Sequence, residues 1–183
     1  MHLLYEARII NYLEKVDYMK TKNKNFVIRK ATQSDCGLIL EFIKELARYE
    51  KLSHEVVTDV KTLEETLFGE TPYAKVVIGE YKNKAVAFAL YFHNFSTFLG
   101  RPGLYLEDLY VNPDMRGKGL GKIMLSYLAK TAIDLGCGRF EWWILDWNKA
   151  AIKFYQSLGA EPMDEWTVNR VTGDSLLKLA KSF

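Results

Sequence analysis

The sequence has few of the features that mark disulfide-stabilised, membrane-spanning or nucleic-acid-binding proteins. Its only two cysteines, Cys36 and Cys137, lie far apart and lack metal-ligand spacing, which favours two reduced thiols in a cytoplasmic protein. No apolar run approaches the roughly 18 residues of a membrane-spanning helix. The net charge is only +2, and no arginine-rich stripe is present. We therefore expect no metal, membrane or nucleic-acid partner.

What is present is an ordinary globular composition. Hydrophobic residues make up 49% and charged residues 26% of the 183 positions, which predicts one domain with a substantial core. Residues 1–24 differ from the rest, because one helix-spaced apolar face is followed by the polar stretch 20–25. Their acids and lack of a cleavage site argue against a targeting peptide. We expect 1–24 to be an appendage or linker, either an added helix or a segment before a later start at Met19, and 25–183 to be the domain.

Hydrophobic periodicity and turn residues predict an α/β domain with a mixed sheet and helices on both faces. Thr32 and Asp35 resemble a capping box at the start of the first helix. A turn is expected at 83–84, and a loop at 95–103, where Gly100, Pro102 and Gly103 interrupt the apolar pattern. The predicted strands are 26–29, 75–80, 85–92, 104–111, 139–145 and 166–171. The first predicted helix ends near residue 50. The other predicted helices span 60–68, 117–135, 148–158 and 175–181.

The most informative segment is the glycine-rich turn between the strand 104–111 and the following helix. It reads Arg-Gly-Lys-Gly-Leu-Gly over 116–121. Glycines let a ligand approach the backbone closely, and the first turn of a helix offers unpaired amides and a positive dipole end. A diphosphate is the kind of anion that such a turn binds.

Spacing separates the possible interpretations of this turn. Only three residues lie between Gly117 and Gly121, and Ile123 follows Lys122, so the segment is not a P-loop. The order G-x-G-x-G also departs from the dinucleotide-binding G-x-G-x-x-G, and it falls in the middle of the chain. A glycine-rich turn without a ligand is the remaining alternative.

The order Arg-x-x-Gly-x-Gly after a strand ending in Val-Asn-Pro resembles the acyl-CoA loop of the GNAT acetyltransferase superfamily. A second resemblance lies at 147–160, where the family has an asparagine-to-tyrosine helix closed by Gly-Ala. The resemblance implies a mostly antiparallel sheet of about six or seven strands, with two strands splayed apart at the acetyl-CoA site. The residues that it implies for acetyl-CoA are Leu109, Tyr110, Val111, Arg116, Gly117, Lys118, Gly119, Leu120, Gly121, Lys122, Asn148, Ala151 and Tyr155.

Nearly the whole chain after the appendage is similar to spermidine/spermine N-acetyltransferases and their thialysine-acetylating relatives. The similarity includes 26–29, 43–50, 68–70 and 104–108. It implies a homodimer and a small primary amine as acceptor, and the short loop 161–166 weakens the case for long polyamines. The residues that it implies for the amine are Tyr49, Glu50, Glu107, Glu141, Trp142, Trp143 and Glu165.

The chemistry needs a base, because an alkylammonium has a pKa of about 10.4 and must lose a proton before it attacks a thioester. Glu107 is the predicted base, directly or through a water, since a carboxylate within an apolar strand is costly to bury. Strand alternation predicts that Asp108 points to the opposite face. Tyr155 is the predicted acid, a backbone amide of 109–111 stabilises the oxyanion, and no covalent intermediate through Cys137 is needed.

Two other functions remain open on the sequence alone. The first is a GNAT enzyme that acetylates a protein N-terminus or lysine. The second is a non-catalytic acyl-CoA-binding sensor. The presence of both Glu107 and Tyr155 favours an enzyme over the sensor.

Overall fold

The computed structural model describes residues 18–183. The apolar helix face predicted before Tyr18 lies outside the described residues. The chain forms two compact units, one that ends at Trp143 and a second that spans Ile144–Phe183.

The first unit is built on a six-stranded sheet whose spatial order follows the chain. The strands β1 to β5 pair antiparallel with their neighbours, and β6 pairs parallel with β5. This mixed, mostly antiparallel sheet confirms the predicted fold class. The strands are β1 (Tyr18–Lys20), β2 (Phe26–Lys30), β3 (Lys75–Tyr81), β4 (Lys84–Ser96), β5 (Arg101–Val111) and β6 (Arg139–Trp142).

Within residues 18–143 three helices pack against the sheet, and two more lie in the second unit. The helices are α1 (Cys36–Glu50), α2 (Val60–Phe68), α3 (Leu120–Asp134), α4 (Lys149–Gln156) and α5 (Gly173–Ala180). Phe42 of α1 stacks on Phe88 of β4 with ring centroids 5.3 Å apart, and it also contacts Tyr110 of β5. Side chains of α2 join the same cluster, so α1 and α2 pack on one face of the sheet. No helix within 18–183 is both long and apolar enough to cross a membrane.

Local signals fix the helix ends. The carboxylate of Asp59 accepts a hydrogen bond from the amide of Thr62 at 2.8 Å, which caps α2, and Gly69 follows its last residue. The predicted capping box is also present, since the amide of Thr32 donates to Asp35 at 2.8 Å. It begins a short 3-10 turn that leads into α1.

The predicted loop over 95–103 is wrong. Strand β4 continues to Ser96 and β5 begins at Arg101, which leaves a four-residue connection at 97–100. Pro102 is tolerated because β6 pairs with β5 only from Gly103 onward, so its missing N–H removes no bond to β6. The predicted turn at 83–84 is displaced by one residue to Lys82 and Asn83, which both have positive φ.

Two other segments differ from expectation. Tyr18–Lys20, at the edge of the predicted appendage, forms β1 and pairs with β2. Residues 166–171, expected to be a strand, form no strand in the described chain. The bounds of two elements also differ from the prediction. Helix α3 begins at Leu120 and not at Gly117, and strand β6 ends at Trp142 and not at Leu145.

A buried ion cluster joins β2 to its neighbours. The guanidinium of Arg29 donates twice to Asp35, at 2.7 and 2.8 Å, and its Nε donates to Glu80 at 2.6 Å. Arg29 is only 8% exposed. Burial acts to raise the pKa of Asp35, but the hydrogen bonds from Arg29 and Thr32 outweigh it and hold that pKa below its ordinary value.

Candidate active site

Among residues 18–183, β5 pairs with no strand on its β6 side over its last five residues. Pairing with β6 ends where Leu106 faces Trp142, whereas β5 itself continues to Val111. On its other side β5 remains paired with β4 as far as the Val111–Ala87 pair. The backbone groups of β5 along 107–111 that would have met β6 do not pair with it, and the Val111 carbonyl accepts instead from the Nε of Arg116. A ligand in extended form could pair with the remaining groups.

A β-bulge marks the start of this open edge. Leu90 of β4 pairs with Asp108 and Tyr91 pairs with Leu106, so Glu107 is the extra residue. A bulge interrupts the strict alternation of side chains. The placement of Glu107 and Asp108 on opposite faces therefore stays a prediction. Bulges reorient side chains, and they are therefore common next to active sites.

Acidic groups lie near one another at this bulge. Burial raises the pKa of Asp108 to about 7, and the charges of Glu107 and of Glu50, at the end of α1, act in the same direction. Burial also raises the pKa of Glu50. Glu107 itself is exposed. The sequence predicts Glu107 as the base and gives no role to Asp108, because neither burial nor the bulge is visible in an apolar strand pattern.

The glycine-rich turn has the geometry that an anion site requires. Gly117 and Gly119 have φ of 73° and 76°, which favour glycine, and a Cβ atom on either would meet open space. The first helical bond of α3 runs from the amide of Ile123 to the carbonyl of Gly119 at 3.1 Å. The amides of 120–122 therefore lie outside the helical bonding and point from the N-terminus of α3. This arrangement fits a diphosphate.

Two cationic side chains flank the same turn. Arg116 is exposed, and its Nε donates to the carbonyl of Val111 at 3.1 Å. Lys118 is also exposed, and its ammonium donates to the carbonyl of Asp114 at 3.1 Å. Both charges add to the positive end of the α3 dipole.

The predicted amine-binding residues of β6, and Trp143 directly after it, differ in their surroundings. Glu141 forms an ion pair with Arg139 at 3.1 Å and accepts a hydrogen bond from Asn94. Its charge is thereby already balanced within the sheet. Trp143 is 59% exposed and packs edge-on against Tyr105, whereas Trp142 is partly buried and packs against Phe140.

The second unit contains the remaining predicted site residues. The side chain of Asn148 accepts a hydrogen bond from the amide of Ala151 at 3.3 Å and so caps α4. Tyr155 lies in the last turn of α4, where it contacts Phe154 with ring centroids 5.3 Å apart. Glu165 is exposed and lies outside regular structure.

Residues 40–160 match the family model described as the acetyltransferase (GNAT) family. A thialysine N-epsilon-acetyltransferase of Bos taurus is 39% identical over 84% of this chain and 96% of its own length. An L-ornithine N5-acetyltransferase of Arabidopsis thaliana is 31% identical over 84% of this chain and 87% of its own length. A solved integron cassette protein from the mobile metagenome of V. cholerae superposes with a TM-score of 0.73, at 30% identity over 86% of this chain and 98% of its own.

The chain belongs to the GNAT family and is an acetyltransferase. The family implies acetyl-CoA as the co-substrate, which agrees with the diphosphate-binding geometry of the 116–122 turn. The predicted class of enzyme is thereby confirmed. Among residues 18–183 no group of three or more histidine, cysteine, aspartate or glutamate side chains is arranged to hold a metal ion.

The raised pKa of Asp108 predicts a pH dependence of stability. Because the pKa is about 7 in the folded chain and ordinarily 3.8, the folded state binds the proton more tightly than the unfolded state. Stability should therefore fall as pH rises between these two values and level off above 7. In thermal unfolding, the Tm of Asp108→Asn minus that of wild type should increase from pH 4 to pH 7. A difference that is constant with pH would show that Asp108 has an ordinary pKa.

Proposed function

We propose that this enzyme transfers acetyl from acetyl-CoA to the primary amine of a small cationic molecule of the thialysine, ornithine or diamine type. The observation that carries this proposal is the acidic cluster of Asp108, Glu107 and Glu50 at the open edge of β5. Clustered carboxylates favour a cationic substrate, and the named relatives act on thialysine and L-ornithine. The polyamines spermidine and spermine belong to the same chemical class and extend the range of candidates.

The proposal that this enzyme binds acetyl-CoA rests on the turn before α3. The amides of 119–122, with Arg116 and Lys118, are proposed to hold the diphosphate of acetyl-CoA. The open backbone of Leu109, Tyr110 and Val111 is proposed to hydrogen-bond the pantetheine arm and to stabilise the oxyanion. Asn148 and Ala151 are assigned to the coenzyme by their place in the family motif at the start of α4.

The proton of the ammonium must be taken up before attack. The sequence-based prediction names Glu107, and the structure supplies Asp108 as a second candidate with a pKa of about 7. A catalytic base works best when its pKa lies near the working pH, and this favours Asp108 as the acceptor. We propose that exposed Glu107 attracts the ammonium and that Asp108 takes the proton, directly or through a water.

The transfer then needs no covalent enzyme intermediate. The freed amine nitrogen bonds to the thioester carbonyl carbon and forms a tetrahedral intermediate. The nitrogen then loses its second proton to solvent water, the carbon–sulfur bond breaks, and the sulfur leaves as a thiolate. Tyr155, assigned by the family motif, is proposed to protonate that thiolate. Tyr155→Phe should lower kcat and leave the Kd for acetyl-CoA within about twofold, since a hydroxyl that acts only on the leaving group adds little ground-state affinity. Unchanged kcat would remove Tyr155 from the mechanism.

An amine panel separates this proposal from protein acetylation. Thiol release from acetyl-CoA should be fastest, by kcat/KM, with thialysine, ornithine, putrescine or spermidine, and much slower with a peptide that presents a free N-terminus or a lysine. A preference for the peptide would instead identify a protein acetyltransferase. Acetyl-CoA binding without turnover of any amine would identify a sensor.

We also propose that the enzyme is a cytoplasmic homodimer. The segment 166–171 has a strand-like sequence but pairs with no strand within the described chain, and Trp166, Val168 and Val171 are exposed. Free Cys36 and Cys137 accord with a reducing compartment. Light scattering at micromolar concentration should give twice the monomer mass, and Val168→Asp should lower it. A monomeric mass for the wild type would contradict the dimer.

A further inference from the structure

Arg116 is held against two aromatic rings of the first unit. Its guanidinium carbon lies 4.6 Å from the centroid of the Tyr49 ring, at the end of α1. It lies 5.8 Å from the ring centroid of Tyr110, in β5. The Nε of Arg116 donates to the carbonyl of Val111 at 3.1 Å, which gives the guanidinium a third contact. An exposed arginine is thus held by three separate contacts.

The ring of Tyr49 packs against Arg116. Family resemblance assigns Tyr49 to the amine, yet a cation of the chain itself already lies against its ring. A substrate ammonium would have to displace that guanidinium to use the same face. The neighbouring residue Glu50 contributes instead to the acidic cluster around Asp108. Of the last two residues of α1, Tyr49 therefore contacts Arg116, whereas the charge of Glu50 acts on Asp108.

We infer that Tyr49 is a positioning residue for the coenzyme, which acts by holding Arg116 ready for the diphosphate of acetyl-CoA. The inference rests on the proposed function of the 116–122 turn. A free arginine side chain has many rotamers, and a side chain that is already ordered loses less conformational entropy on binding. The terminal nitrogens of Arg116 form no hydrogen bond with residues 18–183, and they provide the two-pronged edge that matches a phosphate.

The test compares Tyr49→Leu and Tyr49→Phe by calorimetric titration with coenzyme A. Tyr49→Leu removes the aromatic face and should raise the Kd about 3- to 10-fold, the range expected for an exposed to partly desolvated cation–π contact. Tyr49→Phe keeps the ring and should bind like wild type. Tyr73→Leu is the matched control, because Tyr73 is 78% exposed and lies outside the site.

Two further measurements exclude a purely structural role. With S-acetylpantetheine, which lacks the diphosphate, Tyr49→Leu should leave the KM of both substrates unchanged. In an Arg116→Ala background, Tyr49→Leu should produce no further loss of coenzyme affinity. An unchanged Kd in Tyr49→Leu, together with a raised KM for the amine, would overturn the inference and return Tyr49 to the amine site. If the wild type does not bind coenzyme A, the proposed function is wrong, and the inference about Tyr49 is wrong with it.

Discussion

Asp108→Asn should lower kcat by about 10²- to 10⁴-fold at neutral pH, the usual range for loss of a general base. The asparagine amide keeps the size of the side chain but cannot take a proton. Coenzyme A affinity, measured by calorimetry, should stay within about twofold, because Asp108 lies on the strand and not in the 116–122 turn. Glu41→Gln, an exposed change on α1, is the matched control and should leave kcat unaltered.

The pH profile separates Asp108 from Glu107. In wild type, kcat/KM should rise with pH through about 7, where Asp108 loses its proton. In Asp108→Asn this limb should disappear, and the defect should shrink at high pH as the free amine becomes abundant. Glu107→Gln should weaken amine binding and keep the limb near pH 7. If Glu107→Gln instead abolishes turnover while Asp108→Asn retains it, Glu107 is the proton acceptor.

The second large effect concerns stability. Arg29→Met should lower the free energy of unfolding by about 3–5 kcal/mol, because it leaves the buried carboxylates of Asp35 and Glu80 without their cation. Urea unfolding at pH 7 measures this loss. Arg48→Met, which removes only the exposed pair with Glu45, should cost about 1 kcal/mol or less.

Charge, and not only side-chain volume, should account for the Arg29 effect. Adding Asp35→Asn and Glu80→Gln to Arg29→Met should restore part of the lost stability, since no uncompensated charge then remains buried. The pKa of Asp35 is lowered in the fold, so its ion pair stabilises above the ordinary pKa and is lost as pH falls below it. The Arg29→Met defect should therefore diminish at low pH. A loss below about 1 kcal/mol at pH 7 would contradict the account.

Local sequence signals were sufficient for most of the fold. Helix α2 has the predicted bounds because the Asp59 cap and Gly69 both lie next to the apolar repeat. Prediction failed where pairing partners decide the outcome. Gly100 and Pro102 suggested a loop, yet β4 and β5 pair through Ser96 and Arg101. The alternating segment 166–171 suggested a strand, but a strand forms only where a neighbour pairs with it.

The candidate site was predictable in its residues and not in their interactions. The glycine spacing of 116–121 predicts a coenzyme turn, and the positive φ angles of Gly117 and Gly119 are compatible with that prediction. The bulge at Glu107 depends on the register between β4 and β5, which no local pattern encodes. No local pattern encodes the pKa of Asp108 either, because it depends on burial and on the charge of the distant residue Glu50. Nor does a local pattern encode the contact of Arg116 with Tyr49, since these residues are far apart in the chain.

The most direct test of acetyl transfer from acetyl-CoA to a small amine is a paired measurement of both products. Purified enzyme is incubated with acetyl-CoA and thialysine or ornithine, and free coenzyme A and the N-acetylated amine are quantified by mass spectrometry. The account predicts that the two products form in equal amounts, at a rate that depends on enzyme and on amine concentration. Coenzyme A release without an N-acetylated product, or no release with any small amine, would contradict it.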